Sequence, residues 1–471
     1  MTVSLFVLML LTIMPSEATS VAAPVDSPPG WTPDTLLSFD DSQESRDPAL
    51  VIDGLGRLHA VWKDNRRLGG YDEIHYRCKD SAGWSEIFSV GSLDTVHNTP
   101  DIAVGPDNSA HVVFMRRWGG VWTYFDVGYR RRDGATGDWD PEERLTFQDS
   151  LGYSGRPQVL VVGDTVFAFW LREREVPPEI AYSYNNGTGW TPPQNITGAG
   201  AVPLGYYDIH ATENGWVHIV WQDSRNDTQQ IWHRFHNGDS WSTPARVTFH
   251  GYETIQPDVD SDSAGNIHLV YTGGGPDLRI HYRIWDRDSM TWGTVTHFYS
   301  WAGAPRPMVG VNKTTGERHL THVGNQGIEV LAYRRYDPGS GRWTDSTMLT
   351  WYDVATGPAK PVLDQDGYVH LLFWDQRFGD QEEVFYKTNR IETGLAEQHA
   401  LHSPARPLVL PTVAFGTLRL REEKGACLVD AAGKTVLLLN LGANDVSALS
   451  PGVYFVREAQ AQTVRKVVLT R

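Results

Sequence analysis

One phrase of about fifty residues recurs seven times in this chain, and the piece missing from the seventh copy lies near the N-terminus. The copies align on the first pair of an extended run: Asp47-Pro48, Thr99-Pro100, Arg156-Pro157, Tyr207-Asp208, Gln256-Pro257, Arg306-Pro307 and Lys360-Pro361, spaced 49 to 57 residues apart. Each anchor leads into a short apolar strand, a turn such as Asp53-Gly54-Leu55-Gly56, and a second strand such as Leu58-His59-Ala60-Val61-Trp62. A third strand follows, as in Glu73-Ile74-His75-Tyr76-Arg77. A fourth opens on Trp84, Trp139, Trp190, Trp241, Trp292 and Trp343 in the first six copies. The seventh copy stops after Val384-Phe385-Tyr386-Lys387, and the absent strand reads from Gly30-Trp31-Thr32-Pro33 to Phe39. Four short strands per unit point to a radial propeller, because each blade buries its faces only against its neighbours. The chain is therefore expected to be all-β: a seven-bladed β-propeller over 30–391, closed by an N-terminal strand that covers an otherwise open sheet edge. The leading tryptophans are expected in the wedges between blades.

Seven such units consume most of the 471 residues and leave room for one small domain. The formal charge of -16 argues against nucleic acid as a partner, since phosphate binding needs a basic face. Cys78 and Cys427 fall in different predicted domains with no metal-ligand spacing, and no disulfide is expected between them. The apolar run Leu5 to Met14, followed by Ala18-Thr19-Ser20 and Val21-Ala22-Ala23, is expected to be a signal peptide over 1–23, although no Lys or Arg precedes it. It is too short to span a bilayer, and the mature chain is expected to have no membrane span.

The repeat ends after Ile391. Residues 392–411 read as a linker, and 412–471 as a small C-terminal β-sandwich with strands near Ala426–Val436, Leu449–Arg457 and Arg465–Leu469. The order Asp430-x-x-Gly433-Lys434, Pro451-Gly452-Val453-Tyr454-Phe455-Val456, Lys466-Val467-Val468 resembles the type A C-terminal sorting domain of the bacterial type IX (Por) secretion system. That resemblance implies the type IX machinery as a partner and an extracellular or cell-surface location. An ordinary accessory β-domain is the alternative.

Two sets of polar residues are expected at the channel mouth, where the loops leaving the fourth and second strands share a face. The first is a Trp-x-Asp-x-Arg phrase: Trp62, Asp64 and Arg66; Trp221, Asp223 and Arg225; Phe373, Asp375 and Arg377. Arg116 and Arg117, then Arg172 and Arg174, replace the pair in copies two and three. Alternate strand residues point the same way, so each Asp and Arg either pair as a turn cap or inter-blade salt bridge, or present a polar binding surface. The second set is Arg46, Arg156, Arg306 and Lys360, with Tyr153, Tyr206, Tyr207, Tyr252, Trp301, Trp351 and Tyr352 in the same loops. Arginine forks grip carboxylates and aromatic faces stack on sugars, a combination suited to an acidic glycan. Histidines recur at His59, His111, His218, His268, His319 and His370. Equivalent positions in different blades stand apart, so they are read as structural, with no metal or cofactor expected. Asp40 and Asp41 show no recognisable calcium-loop spacing.

Turns such as Asp80-Ser81-Ala82-Gly83-Trp84 and Asp133-Gly134-Ala135-Thr136-Gly137-Asp138-Trp139 are degenerate Asp-box-like sequences, and through them 31–391 resembles the sialidase and BNR-repeat propellers. None has the full Ser-x-Asp-x-Gly-x-x-Trp box, and family sialidases have six blades. The resemblance implies an arginine triad, imitated by Arg46, Arg156 and Arg306, and a Tyr nucleophile with a Glu partner, imitated by Tyr252 and Glu253. Three readings follow: a secreted or cell-surface propeller that recognises glycans or a surface protein, a sialidase-type exo-glycoside hydrolase, and a structural protein-interaction propeller.

Overall fold

The computed structural model describes residues 27–391 except 40–42, 66–71, 92–95, 118–124, 147–153, 173–177, 226–227, 275–278, 300–304, 326–327, 351–353 and 378–380, and residues 413–470 except 416, 421–425, 431–433, 440–441 and 459–463. The expected signal peptide and linker, together with Arg66, Arg174, Tyr153, Trp301, Trp351, Tyr352, Asp40 and Asp41, lie outside the described residues. The chain divides into two units, Met1–Ile391 and Glu392–Arg471. No described residue is helical.

The described part of the first unit contains seven antiparallel sheets, each a path of four strands. In the first sheet these are Ser45–Ile52, Leu58–Asp64, Glu73–Asp80 and Gly83–Trp84. The second strands are buried on both faces, as their unbroken apolar runs require: Leu58, Ala60, Val61 and Trp62 are all 3 % exposed or less. Between first and second strands, an aspartate shapes the turn. Asp53 Oδ1 accepts the N–H groups of Leu55 and Arg57 at 2.9 and 2.8 Å, and Gly56 supplies the left-handed residue at φ 77°. Asp262 and Asp364 shape the corresponding turns of the fifth and seventh sheets in the same way.

The tryptophans join one sheet to the one before it. Trp139 stands edge-on to Tyr76, Trp190 to Tyr129, Trp241 to Tyr182 and Trp343 to Tyr282, with ring centroids 5.0, 5.0, 5.5 and 5.2 Å apart. Trp292 meets His233 in the tyrosine's place at 5.2 Å. Two further pairs complete the cycle: Trp31 on Tyr333 at 5.0 Å, and Trp84 on Tyr386 at 5.2 Å. A repeated arginine that the sequence reading passed over reinforces these junctions. Arg77, Arg130, Arg234 and Arg283 lie within about 6 Å of the tryptophans of their own sheets. Each donates across to a carbonyl of the preceding sheet: Leu37, Val90, Ile196 and Val247, at 3.2, 2.6, 2.6 and 2.6 Å.

The N-terminal segment is the fourth member of the last sheet. Thr35 and Leu36 stand opposite Tyr386 and Phe385, and the N–H groups of Thr32 and Leu37 donate to Thr388 and Val384 at 2.8 Å each. Buried charge fixes it further: Asp34 accepts from Arg377 Nη1 at 2.6 Å and forms an ion pair with Lys387 Nζ at 2.8 Å. The ladder is shorter than the expected run from Trp31 to Phe39, and the other fourth strands are likewise two- to four-residue pieces. Proline is one cause. Pro141, Pro192 and Pro244 follow Trp139, Trp190 and Trp241 closely and remove an N–H from the ladder.

In the second unit, Val413–Phe415, Val464–Thr470, Gly452–Glu458, Ala426–Val429 and Thr435–Leu439 form one sheet in that order, the first two parallel. Thr417–Leu420 pairs with Gly442–Asp445 in a separate ladder. Leu428, Leu439, Val446 and Val456 make its buried cluster. The strands expected near Leu449–Arg457 and Arg465–Leu469 are present, whereas the run expected near Ala426–Val436 is divided between the paired strands Ala426–Val429 and Thr435–Leu439.

Candidate functional site

The first strand of every sheet in the first unit contributes to the wall of a cavity of about 680 Å³, from Leu50 in the first sheet through Asp101, Val159, Ile209, Asp260 and Val311 to Val362 in the seventh. This is the axial channel. A smaller pocket of about 220 Å³ shares Gln158 and Asp208 with it and is lined by Arg156, Tyr206, Gln256, Pro257 and Arg306.

The backbone makes this mouth in a way the X-Pro anchors only half disclose. Asp47, Thr99, Arg156, Gln256 and Arg306, each immediately before the anchor proline, have φ of 52, 41, 50, 55 and 40°. Left-handed conformation is costly for a side-chain-bearing residue, and such strain persists only where surroundings impose it. Pairing with the second strand skips at the same points in the first, second, third and fifth sheets, marking a β-bulge in each. Arg156 and Arg306 stand exposed at two of these positions, with no carboxylate partner among the described residues. Arg156 lies 4.8 Å over the ring of Tyr206. Gly205 admits it there, because a Cβ at that position would come within 3.2 Å of the guanidinium Nε.

Below the arginines the channel holds a charged cluster. Lys360 Nζ lies 2.8 Å from Asp208 and 3.0 Å from Asp258, and its side chain keeps 37 % of its surface open to the channel. The aspartates also bridge sheets, accepting edge N–H groups that no further strand pairs: Asp101 from Val159, Asp208 from Val259 and Asp258 from Val309, at 2.8, 2.9 and 2.7 Å. Burial holds Asp258 well above the usual carboxylate range even beside Lys360. Burial likewise pushes Asp101 up to about 7, against the hydrogen bonds from Val159 and Ile102.

The Asp101 shift sets the sign of a pH effect. A carboxyl raised on folding contributes stability that is fully present below its unfolded value of 3.8 and is lost as pH rises through about 7. Asp101→Asn keeps an acceptor for the Val159 N–H and removes the ionisation. Its melting temperature should therefore gain on that of the parent between about pH 4 and about pH 7 and hold the gain above. A margin that does not move with pH in thermal melts would refute the buried, protonated carboxyl.

The Trp-x-Asp-x-Arg residues are placed differently from a ligand-facing ring. Asp64, Asp223 and Asp375 are at most 1 % exposed. Asp64 accepts from Ser45 at 2.8 Å. Asp223 accepts from Trp221 Nε1 at 2.8 Å and Arg225 Nη2 at 2.7 Å, and Asp375 is gripped by the Arg377 fork at 2.8 and 2.5 Å. Arg225 stacks 4.0 Å over Trp232, and Arg172 pairs with Glu179 at 2.6 Å. These are turn caps and ion pairs, the first of the two alternatives read from the sequence.

Of the imitated triad, Arg156 and Arg306 share the mouth pocket, whereas Arg46 is engaged by Glu44 and, at 2.5 Å, by Glu382. Tyr252 stacks on His250 at 4.7 Å, Glu253 accepts from Gln229 at 3.0 Å, and neither lines that pocket. The repeated histidines face inward. Nδ1 of His59, His111, His268, His319 and His370 meets the hydroxyl of Tyr76, Tyr129, Tyr282, Tyr333 and Tyr386 at 2.6–2.7 Å. Among the described residues no three His, Cys, Asp or Glu side chains converge as a metal cage.

No protein-family model and no curated protein matches the sequence. Solved structures do resemble it. A protein of unknown function from Dyadobacter fermentans is 11 % identical with a TM-score of 0.50, over 77 % of this chain and 99 % of that one. An ulvan lyase, a polysaccharide lyase, is 11 % identical with a TM-score of 0.50, over 73 % and 93 %. The leech intramolecular trans-sialidase is 11 % identical at a TM-score of 0.41, over 73 % and 68 %. The likeness is one of fold alone.

Proposed function

We propose that the first unit is a seven-bladed β-propeller closed by its N-terminal strand, and that it binds an acidic glycan at the channel mouth between Arg156 and Arg306. One observation carries this reading: two exposed arginines without carboxylate partners, from the third and sixth sheets, converge on a single pocket. Guanidinium forks suit a sugar carboxylate or sulfate, and the ring of Tyr206 on the same wall offers an apolar face for a sugar to stack on. The test is retention of the purified chain on arrayed glycans. Carboxylated or sulfated sugars should be bound and their neutral counterparts not; binding to neither would leave the protein-interaction reading in its place.

One feature favours hydrolysis of an acidic sugar instead. Asp258, its carboxyl raised by burial above the usual carboxylate range, stands with Asp208 on the pocket wall, as an acid and a base would. Against this, both carboxylates are committed to Lys360 and to strand N–H groups, and the Tyr252–Glu253 pair is elsewhere. Release of fluorophore from a sialoside or uronide would reverse the order of the two readings.

The second unit we propose to be the sorting module of a type IX exported protein, which places the chain outside the cell or on its surface. The support is the motif order from Asp430 to Val468. A chain ending at Pro411 should accumulate inside the producing cell; undiminished export would contradict the assignment.

A further inference from the structure

The fifth sheet departs from its siblings at one position, and the departure has metal-binding chemistry. In every sheet a third-strand residue next to the blade-junction Tyr or His stands opposite a residue of the fourth segment. The pairs are His75 with Ser89, Gly128 with Arg144, Ala181 with Asn195, Trp232 with Arg246, Ala332 with Met348 and Phe385 with Leu36. In the fifth sheet alone the pair is His281 with His297. A repeated scaffold makes such an exception informative, because packing has solved the same position six times without a second imidazole.

The two rings meet nitrogen to nitrogen. Nδ1 of His281 and Nδ1 of His297 are 3.1 Å apart, with the rings at 86° to each other. His281 is 1 % exposed and fits a prepared slot. Tyr271 stacks on it at 4.8 Å and 11°, and Gly273 leaves the room its far edge occupies, since a Cβ there would lie 2.1 Å from Nε2. That Nε2 is buried with no hydrogen-bond partner. That atom is on the other side of the ring from Nδ1, so neither a hydrogen bond between the rings nor an ion held at Nδ1 gives it a partner. His297 is exposed, so the open side of the pair reaches solvent.

We propose that His281 and His297 form a two-imidazole clip for a first-row divalent transition metal ion, with water completing the coordination. An ion 2.0–2.1 Å from each nitrogen would subtend about 100° between them at the observed 3.1 Å separation, within reach of tetrahedral and square-planar angles alike. His250, its ring centroid 5.4 Å from that of His281, does not converge with the pair as a third ligand. None of these residues lines the pocket between Arg156 and Arg306, so the clip stands whether or not that pocket binds sugar.

The probe is copper(II) chloride, because Cu(II) heads the affinity order for imidazole ligands. Titration of the untagged full chain, followed by calorimetry and by the nitrogen hyperfine pattern in electron paramagnetic resonance, should give one strong equivalent. His297→Ala, at an exposed position and with an unchanged melting curve, should weaken that equivalent at least tenfold. His236→Ala, at a histidine of the fourth sheet, should leave it unaltered. Undiminished binding by His297→Ala, or the absence of any saturable equivalent in the parent, would mean that the two rings are a hydrogen-bonded pair only.

Discussion

Replacing Arg377 by alanine should lower the unfolding free energy of the propeller by about 3–5 kcal/mol, read from urea denaturation. The guanidinium is 1 % exposed and holds two carboxylates at once, Asp375 by a fork and Asp34 through Nη1 at 2.6 Å. It also lies 3.9 Å over the ring of Phe385. Alanine would leave Asp375 buried without its cation and would remove one of the two cations that hold Asp34, and with it the N-terminal segment, to the last sheet. An unpaired buried charge is what makes the loss large; a surface pair would cost less than about 1 kcal/mol. Arg377→Lys should recover only part of the loss, since an ammonium cannot reproduce the planar fork. A loss of under about 1 kcal/mol for the alanine variant would show that water reaches this network and that ring closure does not depend on it.

The second large effect is on binding. Arg156→Ala with Arg306→Ala should reduce affinity for an acidic glycan by roughly a hundredfold or more, since hydrogen bonds to charged groups are worth about 1.5–3 kcal/mol each. Each single variant should account for about a tenfold part. Stability should stay within about 0.5 kcal/mol of the parent, because both side chains are exposed and neither holds a carboxylate. Isothermal titration paired with thermal melts separates these outcomes. Full affinity in the double variant would remove the mouth pocket from the account, and a parallel loss of stability would recast the arginines as structural.

How much of this was legible in the sequence depended on whether the signal was periodic. The repeat located the strands, the interlocking tryptophans and the piece that completes the seventh sheet, because each junction repeats the same chemistry. The bulges were not legible. A residue before proline is ordinarily extended, and nothing in Arg156-Pro157 or Arg306-Pro307 announces left-handed geometry. The Trp-x-Asp-x-Arg aspartates were ambiguous for a different reason: alternation gives the facing of a side chain but not whether a neighbouring sheet covers it, and Asp64, Asp223 and Asp375 are covered. Tyr252 and Glu253 were paired by adjacency alone, and in the bend before the strand Thr254–Ser261 they find separate partners in His250 and Gln229. The axial aspartates did leave a mark that went unread. Asp101 and Asp258 directly follow the anchor prolines in Thr99-Pro100-Asp101 and Gln256-Pro257-Asp258, and a carboxylate recurring at the start of an innermost strand is a candidate for capping the edge beside it.

Hydrogen exchange of the segment 31–38 tests the central claim most directly, because everything about which loops share the channel mouth follows from its place in the seventh sheet. The Thr32 and Leu37 amides, bonded to Thr388 and Val384, should exchange as slowly as those of Glu383–Thr388 and should be released with them in a single cooperative step as denaturant is added. Rapid exchange of 31–38 while the rest of the first unit stays protected would show that the segment does not complete the ring, and the shared pocket of Arg156 and Arg306 would have to be rebuilt on another frame.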